Sequence, residues 1–575
     1  MKELKNTYQL WEAMIFFSLV LTILITFFLM KYTWSFGTEW GTFEEHAQIW
    51  KLILIETKQL NTSSYYQYKN FLIENTYVTD LILHIGLPLL FSLIGSSIII
   101  VRWLWVKGGR DKAVHISGSR LYKEKFAITH AKKSLKKEIN NSSQIGAALH
   151  PSILIAKAQE SGNIFVNGAQ GSGKSTLIKP MVNEVTNSGA RMLIYDAKRE
   201  YTPIFYKKGH LLLSPTDRRS LCWDIAADVT SPEIAYEVAS CFISSSDKEP
   251  IWANGARLIL AGCMVTLIHT HPNWSWHELK TLLDKPIGEL KELFDEYYPK
   301  AGKLISENSK TTDSFIMELT TQTHWLDYLA QVWSKESKAK FSVTKWIEGK
   351  YNLQSLIIPN DPKYSSISAP LCAAILSIVV REVLSLPDDN ERELWFVLDE
   401  LTDLPKTKAF EKWLALGRAK GARTIAGTQN ISQIESIYGD KNTETLMSLF
   451  SNIIALKVGS SSTTAKKVAD NLGKRIVKRA TINFDKEGNK SNSYQQSEEY
   501  IVRPEQLMQL PSPSKKGVTG YLSVSGWNAV YELVWPYPAL DNIAEAYIPV
   551  ELDSISTDAI NNSNKRGSRG RIRSC

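Results

Sequence analysis

A phosphate-binding loop at residues 168–175 constrains this chain more than any other feature. Its sequence, G-A-Q-G-S-G-K-S, fits the pattern G-x-x-x-x-G-K-[ST]. The loop lies between an apolar run, Ile164–Val166, and a predicted helix start, so backbone N–H groups can turn inward and hold phosphate oxygens. The motif predicts a nucleotide site in an α/β fold, and the alternative is a Gly-rich turn with a chance lysine. The residues predicted to bind the nucleotide are Gly168, Ala169, Gln170, Gly171, Ser172, Gly173, Lys174, Ser175 and Thr176.

The other half of such a site is predicted where the apolar run Trp395–Leu398 ends in Asp399 and Glu400. Open α/β sheets bind ligands at the carboxyl ends of their strands, and we expect this strand to neighbour the phosphate-loop strand. Lys174 would neutralise the β- and γ-phosphates, and Ser175 and Asp399 would hold Mg²⁺ and its water. Glu400 would accept a proton from the attacking water as a general base. ATP and Mg²⁺ are therefore the predicted ligands, although an apolar run ending in Asp-Glu is by itself only a strand end.

One polar and two basic residues follow this acidic strand. Gln429 ends a further apolar strand, where a polar side chain can sense or position the γ-phosphate. Arg418 and Arg423 precede that strand, and an exposed arginine there can complete a neighbouring subunit's site as an arginine finger. The alternative for both arginines is a solvated helix face.

The order of apolar runs predicts an α/β body with a parallel sheet, built from residues 145–227 and 346–550. Between residues 228 and 345 strand patterns give way to amphipathic helical stretches, which predicts an all-α insertion. The predicted strands are Ile164–Val166, Met192–Tyr195, Leu211–Leu213, Leu353–Ile358, Trp395–Leu398, Thr424–Ala426 and Ile453–Lys457.

Two apolar runs predict a transmembrane hairpin within residues 1–110. Residues 13–30 carry no charged side chain, and residues 81–101 form a second apolar run. A helix of about 20 residues, at about 1.5 Å rise per residue, crosses a hydrocarbon core of about 30 Å. The alternative for each run is a buried core helix.

The distribution of Lys and Arg predicts how this hairpin is oriented. Residues 102–138 contain eleven Lys/Arg and three Asp/Glu, whereas the loop 31–80 contains four and six. The positive-inside rule therefore places the loop in the periplasm and both termini in the cytoplasm of a bacterial inner membrane. The basic linker 111–144 either holds this orientation and binds anionic lipid, or contacts DNA.

The composition excludes few functions. A net charge of +8 suits nucleic acid or an anionic membrane surface without establishing either. The five cysteines are scattered without a C-x-x-C pair, so neither disulfides nor structural zinc are expected. The basic tail, residues 551–575, is predicted to be disordered, either as a solvated end or as an electrostatic hook for nucleic acid or a partner.

Several short segments follow the phosphate loop in a fixed order and resemble one family, the type IV coupling proteins of bacterial conjugation. The resemblance is closest to the TraD branch of these RecA-like, FtsK/HerA-type ATPases and covers about residues 145–540 and the two-span anchor. Arg199 stands where the family usually has glycine. The segments are Ile194–Glu200, Ser214–Ser220 with Trp223-Asp224, Ile251-Trp252 with Ala256-Arg257, and Leu398–Leu401 through Gly417-Arg418 and Gly427–Gln429 to Gln433 and Tyr438-Gly439.

The resemblance implies a homo-hexameric motor fixed to the inner membrane. Such proteins link the relaxosome to the type IV secretion channel and use ATP to pump single-stranded DNA, often with a bound relaxase. Arg418 falls at the family's arginine-finger position and Gln429 at its strand-end sensor. The helical insertion corresponds to the family's all-α domain, which faces the cytoplasm and receives the substrate.

Three rival interpretations share part of this pattern. A double-stranded DNA translocase of the FtsK/HerA type would share the motor, but more membrane spans and a winged-helix end would be expected. A coupling ATPase for protein effectors would share the whole architecture. A non-enzymatic membrane adaptor is disfavoured by the intact Lys174, Ser175, Asp399 and Glu400.

Overall fold

A computed structural model describes most of the chain, in ten ranges separated by gaps. The described residues form two compact units, one within residues 1–114 and 478–495 and the other within residues 115–477 and 496–575. The predicted tail 551–575, and residues 13–18 of the first predicted span, lie outside the described residues. The described ranges are 19–34, 40–107, 113–140, 144–207, 210–245, 249–333, 339–351, 355–360, 362–484 and 490–550.

The described N-terminal part of the first unit is helical. A small aromatic core buries Trp34, Trp40 and Phe43 together with Tyr68 and Leu72. Most of the described part of the predicted outward loop 31–80 is helical. The helices are Leu19–Trp34, Phe43–Lys58, Ser63–Glu74 and Val78–Lys107.

Two hydroxyl pairs join the two apolar helices of this unit. Thr22 Oγ1 lies 2.8 Å from Ser96 Oγ, and Thr26 Oγ1 lies 2.5 Å from Ser92 Oγ. Such hydrogen bonds satisfy polar side chains between helices in lipid, where water is absent. The stretch Val78–Ile98 is long and apolar enough to cross a membrane, with a mean hydropathy of 2.0. These observations fit the predicted hairpin.

Two more helices, Pro250–Thr270 and Ser365–Ser385, also have the length and apolar composition of a span. Both are largely buried inside the second unit, where their side chains join its main hydrophobic core. They are therefore core helices of the folded body.

A mixed ten-stranded sheet organises the second unit. The seven described strands from Leu211–Leu212 to Asn452–Ala455 are parallel, and the strands beyond them form an edge with antiparallel pairs. All seven predicted strands are present with small shifts in their ends. The order across the sheet is Arg120–Lys123, Ala529–Trp535, Val518–Val524, Asn452–Ala455, Ile164–Asn167, Ala422–Thr428, Leu394–Leu398, Arg191–Asp196, Ser355–Pro359 and Leu211–Leu212.

The strand Leu394–Leu398, which precedes Asp399 and Glu400, shows why the sequences of the central strands are continuous apolar runs. Trp395 and Val397 join the core on one face of the sheet, and Phe396 and Leu398 join the core on the other. A parallel strand covered on both faces needs apolar side chains at every position.

The expected neighbour relation between the acidic strand and the phosphate-loop strand is wrong. Ala422–Thr428 lies between Leu394–Leu398 and Ile164–Asn167, paired in parallel with both. Strand order depends on crossovers that no local pattern reveals. The inserted strand brings its own carboxyl end, Thr428 and Gln429, between the two halves of the predicted site.

The helical insertion is present between two short paired strands, Cys222–Trp223 and Lys340–Phe341. It buries a large share of the core beside the sheet, including Trp276, Phe294 and Trp333. Its helices are Pro232–Phe242, Pro250–Thr270, Trp276–Leu283, Ile287–Tyr297, Pro299–Gly302, Lys310–Thr323 and Leu326–Val332, and Val343–Ile347 follows the second short strand.

Part of the predicted linker 111–144 is folded onto the second unit. Arg120–Lys123 pairs with Ala529–Trp535 at the edge of the sheet, and the helix Glu124–Ile139 buries Ala127, Ala131 and Leu135. The remaining strands are Ala113–Gly118, Ile145–His150, Ile153–Ala156, Lys474–Phe484 and Lys490–Tyr500. The remaining helices are Lys157–Glu160, Lys174–Ser188, Thr202–Phe205, Ile225–Asp228, Ser365–Ser385, Lys408–Leu416, Ile431–Tyr438, Asp440–Ser448, Ser462–Leu472 and Pro504–Met508, with short 3-10 turns at Pro362–Tyr364, Leu401–Asp403 and Gly417–Lys420.

Candidate nucleotide-binding site

The phosphate loop joins the strand Ile164–Asn167 to the helix Lys174–Ser188, as its sequence predicts. Its first residues are fixed by the sheet, since Gly168 N donates to Thr428 O at 3.1 Å and Ala169 N to Lys457 O at 2.8 Å. Gly173 has φ +96°, and a Cβ there would meet Val518 Cγ2 at 2.5 Å. Only glycine fits this position, which turns the chain into the helix.

Lys174 is buried inside the loop with 7 % of its side chain exposed. Its Nζ donates to Gly168 O at 3.1 Å and lies 3.5 Å from Glu400 Oε2. Burial lowers the pKa of Lys174, against the attraction of Glu400 and Asp399. The ammonium group is therefore positioned between the loop and the acidic strand, where phosphate charge can be neutralised.

Asp399 accepts hydrogen bonds from two hydroxyl groups. Ser175 Oγ lies 3.4 Å and Tyr201 Oη 3.0 Å from Asp399 Oδ1. Burial raises the pKa of Asp399, and the nearby Glu200 carboxylate raises it further. The geometry brings the two predicted magnesium ligands, Ser175 and Asp399, together. Sequence reasoning missed Tyr201, which adjoins the Ile194–Glu200 segment.

Glu400 is held by three donors on one oxygen. Its Oε1 accepts from Thr402 Oγ1 at 3.0 Å, Thr428 Oγ1 at 3.1 Å and the backbone N of Gln429 at 3.3 Å. The second oxygen, Oε2, is the one that lies near Lys174. Gln429 thus contributes its backbone to Glu400, while its side chain lines the cleft.

Part of this site lines a cleft of ≈ 760 Å³, whereas the predicted residues Gly168, Ser172 and Glu400 are not on its wall. Glu400 is buried and lies 3.5 Å from Lys174 Nζ. The described residues contain no cluster of three His, Cys, Asp or Glu side chains that could hold a metal by themselves. That suits Mg²⁺, which is commonly bound by one or two carboxylates, water and substrate phosphates. The predicted site residues on the cleft wall are Ala169, Gln170, Gly171, Gly173, Lys174, Ser175, Thr176, Asp399 and Gln429.

The turn after the strand Arg191–Asp196 is tight, although it contains Arg199, a residue with a long side chain. The Asp196 carboxylate is fully buried and accepts from the backbone N of Glu200, Tyr201 and Thr202 at 2.7–3.0 Å. Arg199 adopts φ +55°, the left-handed region that costs a side-chain-bearing residue about 1 kcal/mol or more. The buried carboxylate fixes this backbone, and with it Tyr201.

Contacts of the Arg199 side chain offset that backbone cost. Its guanidinium lies over the Tyr547 ring, 4.1 Å from the centroid, and Nη1 lies 3.5 Å from Asp217 Oδ2. Tyr547 belongs to a closing segment, residues 536–550, which returns from the last strand across the carboxyl edge of the sheet.

The closing segment is anchored by backbone hydrogen bonds. Ile543 N donates to Pro203 O at 2.8 Å, and Val550 N donates to Thr216 O at 3.1 Å. Three of its residues form part of the cleft wall: Pro538, Leu540 and Asn542. No local sequence pattern predicts this contribution, because it depends on contacts between segments more than 300 residues apart in the chain.

The two candidate arginines have different environments. Arg418 is exposed on the turn Gly417–Lys420, which precedes the strand Ala422–Thr428 and is thus at the opposite end of that strand from Gln429. Arg418 therefore does not join the other predicted residues within one chain.

Arg423 is buried, with Nε 3.2 Å from Glu160 Oε2 and Nη1 3.5 Å from Glu393 Oε1. A solvated helix face is therefore the wrong interpretation for Arg423. From its strand it forms a buried ion pair with Glu160 on the helix Lys157–Glu160.

A family model for the type IV secretion-system coupling protein DNA-binding domain matches residues 147–527, well over half of the chain. The chain belongs to the type IV secretion-system coupling proteins. The Coupling protein TraD of Escherichia coli (strain K12) is 23 % identical over 466 residues, which cover 79 % of this chain. The same match covers 63 % of TraD, so this coupling protein spans just under two thirds of its relative's length.

Solved structures share the fold of this coupling protein. The unbound monoclinic form of the bacterial conjugative coupling protein TrwBdeltaN70 superimposes with a TM-score of 0.63 at 22 % identity, covering 76 % of this chain and 96 % of that chain. The plasmid coupling protein TrwB in complex with ADP and Mg²⁺ gives a TM-score of 0.62 at 22 % identity, with coverages of 76 % and 98 %. The predicted RecA-like fold with an all-α insertion is confirmed.

The left-handed turn at Arg199 yields a prediction about stability. Arg199→Ala should lose the contacts to Tyr547 and Asp217 while it keeps the backbone cost, whereas Arg199→Gly loses the contacts but relieves that cost. We expect the glycine variant to be more stable than the alanine variant by about 1 kcal/mol. Thermal or denaturant unfolding of the two purified variants measures the difference. A glycine variant less stable than the alanine variant would show that the turn is not strained in solution.

Proposed function

We propose that this coupling protein is an ATPase of the bacterial inner membrane that links the relaxosome to the type IV secretion channel and pumps single-stranded DNA, with its relaxase, during conjugation. The observation that supports this most directly is that Lys174, Ser175 and Asp399 line one cleft, with the buried Glu400 3.5 Å from Lys174 Nζ. The matched family is described by its DNA-binding domain, and TrwB has been solved with a non-hydrolysable ATP analogue and with ADP and Mg²⁺.

The geometry supports a simple hydrolytic step. Backbone N–H groups of the loop and Lys174 would hold the β- and γ-phosphates of ATP, and Ser175 and Asp399 would hold Mg²⁺, which would neutralise phosphate charge. Water attacks the γ-phosphorus, and the bond to the bridging oxygen breaks to release ADP. Glu400 takes the proton of that water on Oε2, the oxygen opposite its three donors.

The domain organisation is proposed in the same terms. Residues 1–110 anchor the chain with spans at 13–30 and 81–101, and the loop 31–80 faces the periplasm while both termini face the cytoplasm. Residues 145–227 and 346–550 form the RecA-like domain, and residues 228–345 the all-α domain. The long apolar helix Val78–Lys107 and the charge bias of the sequence support this arrangement.

A homo-hexamer would explain the position of Arg418. The side chain is exposed on the turn before the strand that ends at Gln429, so it can act as an arginine finger only in the cleft of a neighbouring copy. A ring of such boundaries places each ATP between two subunits. Gln429, on the wall of its own cleft, would sense the γ-phosphate.

Two other functions share the motor and differ in cargo. A double-stranded DNA translocase of the FtsK/HerA type would respond to duplex DNA, and a coupling ATPase for protein effectors would turn over ATP without regard to DNA. We propose single-stranded DNA as the cargo, and not duplex DNA or protein effectors, because the family model names DNA binding and the TraD relative is a coupling protein.

Loss of either central charge should abolish ATP turnover. Lys174→Ala removes the cation on the phosphates and Glu400→Gln removes the base, so each should lower kcat by about a hundredfold or more. Phosphate release by the purified full chain measures the effect, with Lys441→Ala, an exposed lysine outside the cleft, as control. Wild-type turnover in either site variant would refute the assignment of this cleft.

The same assay with added DNA tests the cargo. Turnover stimulated by single-stranded DNA supports the conjugative pump, and stimulation by duplex DNA alone supports the FtsK-like alternative.

In cells, Lys174→Ala should abolish mating transfer.

Mixing two inactive variants tests Arg418 in trans. The Arg418→Ala chain keeps Glu400, and the Glu400→Gln chain keeps Arg418. In an equal mixture, about a quarter of the subunit boundaries should therefore combine an intact Glu400 from the first variant with an intact Arg418 from the second. We expect ATP turnover to return on mixing. No recovery in mixed rings that form normally would contradict an arginine finger at this position.

Removal of the Tyr201 hydroxyl should shift the pH dependence of Mg²⁺-dependent nucleotide binding. Burial already raises the pKa of Asp399, and the Tyr201 hydrogen bond opposes that rise. Binding needs the carboxylate, so it should weaken as pH falls through this pKa, and Tyr201→Phe should move the midpoint upward by about one pH unit. Titration calorimetry at several pH values measures it. Tyr206→Phe, a half-buried tyrosine near Arg219, is the matched control and should leave the midpoint unchanged.

A further inference from the structure

A second large cavity lies outside the nucleotide cleft and shares no lining residue with it. This basic groove of ≈ 1410 Å³ runs between the helices Pro232–Phe242 and Ser365–Ser385 and the stretch 405–412. Pockets for small molecules measure about 300–1,000 Å³. The larger volume suits a length of polymer.

Three exposed lysines, Lys406, Lys408 and Lys412, line one wall of the basic groove. Lys408 and Lys412 are four residues apart on one helix and so share a face. Within the part of the chain that the structure describes, none of the three forms an ion pair with a carboxylate. Their ammonium groups are therefore exposed to the solvent that fills the groove.

The other charged groups on the wall are two carboxylates, Glu233 and Glu237, and two guanidinium groups, Arg257 and Arg381, so their charges balance. Arg381 Nη1 lies 3.4 Å from Glu237 Oε2, and Arg257 donates to the carbonyl of Ile243 at 2.8–2.9 Å. Glu237 also accepts from Ser377. The net charge that the groove offers to a ligand is therefore positive.

Two helices begin at this groove. The 21-residue helix Ser365–Ser385 starts without a side-chain cap, and its exposed Ser365 and Ser366 line the cavity. The helix Lys408–Leu416 starts at Thr407, which also lines it. Helix N-termini and hydroxyl groups are the neutral donors that, with lysines, hold phosphates in protein–nucleic acid contacts.

The groove is connected by a short path to the hydrolytic site. Glu400 ends the acidic strand, and only a few residues separate it from Lys406. Thr402 Oγ1 in that connection donates to Glu400 Oε1 at 3.0 Å, and the carbonyl of Asp403 accepts from Tyr195 Oη at 3.0 Å. The segment that leads to the lysine wall is therefore hydrogen-bonded to Glu400.

We propose that the basic groove holds the sugar-phosphate backbone of single-stranded DNA, with phosphates contacted by Lys406, Lys408 and Lys412. This assignment rests on the proposed function and names where its nucleic acid substrate lies on each subunit. Half-buried Tyr236 on the opposite wall offers a ring on which an unpaired base can stack.

The test compares two triple variants of the full chain in detergent. One replaces Lys406, Lys408 and Lys412 with Ala. The charge-matched control replaces Lys303, Lys310 and Lys441, which are also exposed but do not line the groove. Binding of a fluorescent single-stranded oligonucleotide is measured by anisotropy over a range of salt concentrations, and thermal unfolding verifies that both variants fold.

We expect the groove variant to bind more weakly for every oligonucleotide sequence, while the control binds like wild type. For single strands each lost phosphate contact lowers the slope of log K against log salt by about 0.7, so the slope should fall by about 2. An unchanged slope, or equal losses in both variants, overturns the assignment. A groove variant that binds single-stranded DNA normally but no longer binds a relaxase overturns it as well. If the wild-type chain hydrolyses ATP but binds no single-stranded DNA, the proposed function fails together with the groove.

Discussion

The burial of one lysine charge governs the arrangement of the nucleotide site. A cation removed from water must be surrounded by acceptors, and Lys174 finds them in the loop carbonyl of Gly168 and in Glu400. Those partners come from two strands that are not neighbours, so the site exists only when the parallel sheet is complete. The charges of the site therefore come together only as the sheet folds, and the loop alone, outside this sheet, would not hold its lysine in place.

The sequence reveals those parts of the fold that rest on local patterns. The phosphate loop and the acidic strand could be predicted because glycine positions and buried parallel strands leave a signature within about ten residues. The strand order could not be predicted, and neither could Tyr201 or the closing segment. Each depends on which distant segments meet, such as Ile543 against Pro203. The strand Ala529–Trp535 was not predicted either, and its place in the sheet depends on pairing with Arg120–Lys123, which is distant in the chain.

Arg418 and Arg423 show the limit of sequence reasoning at the level of single side chains. Both lie in the same short basic run, and composition treats them alike. The sheet separates them, because Arg423 is inside a strand flanked by Trp395 and paired with Glu160 and Glu393, while Arg418 remains on an exposed turn. Whether an arginine in this run is buried in an ion pair or exposed depends on where the strand begins. Only the assembled sheet defines that position.

The closing segment also has a mechanical consequence. Its last described residue, Val550, is bonded to Thr216, and Tyr547 lies under Arg199, beside the turn that carries Tyr201. Tension applied at this end of the chain would act first on a few hydrogen bonds and one stacked guanidinium, and not on the sheet. Those hydrogen bonds would break one after another, so a modest force would remove the closing segment from the cleft wall while the strands stayed intact.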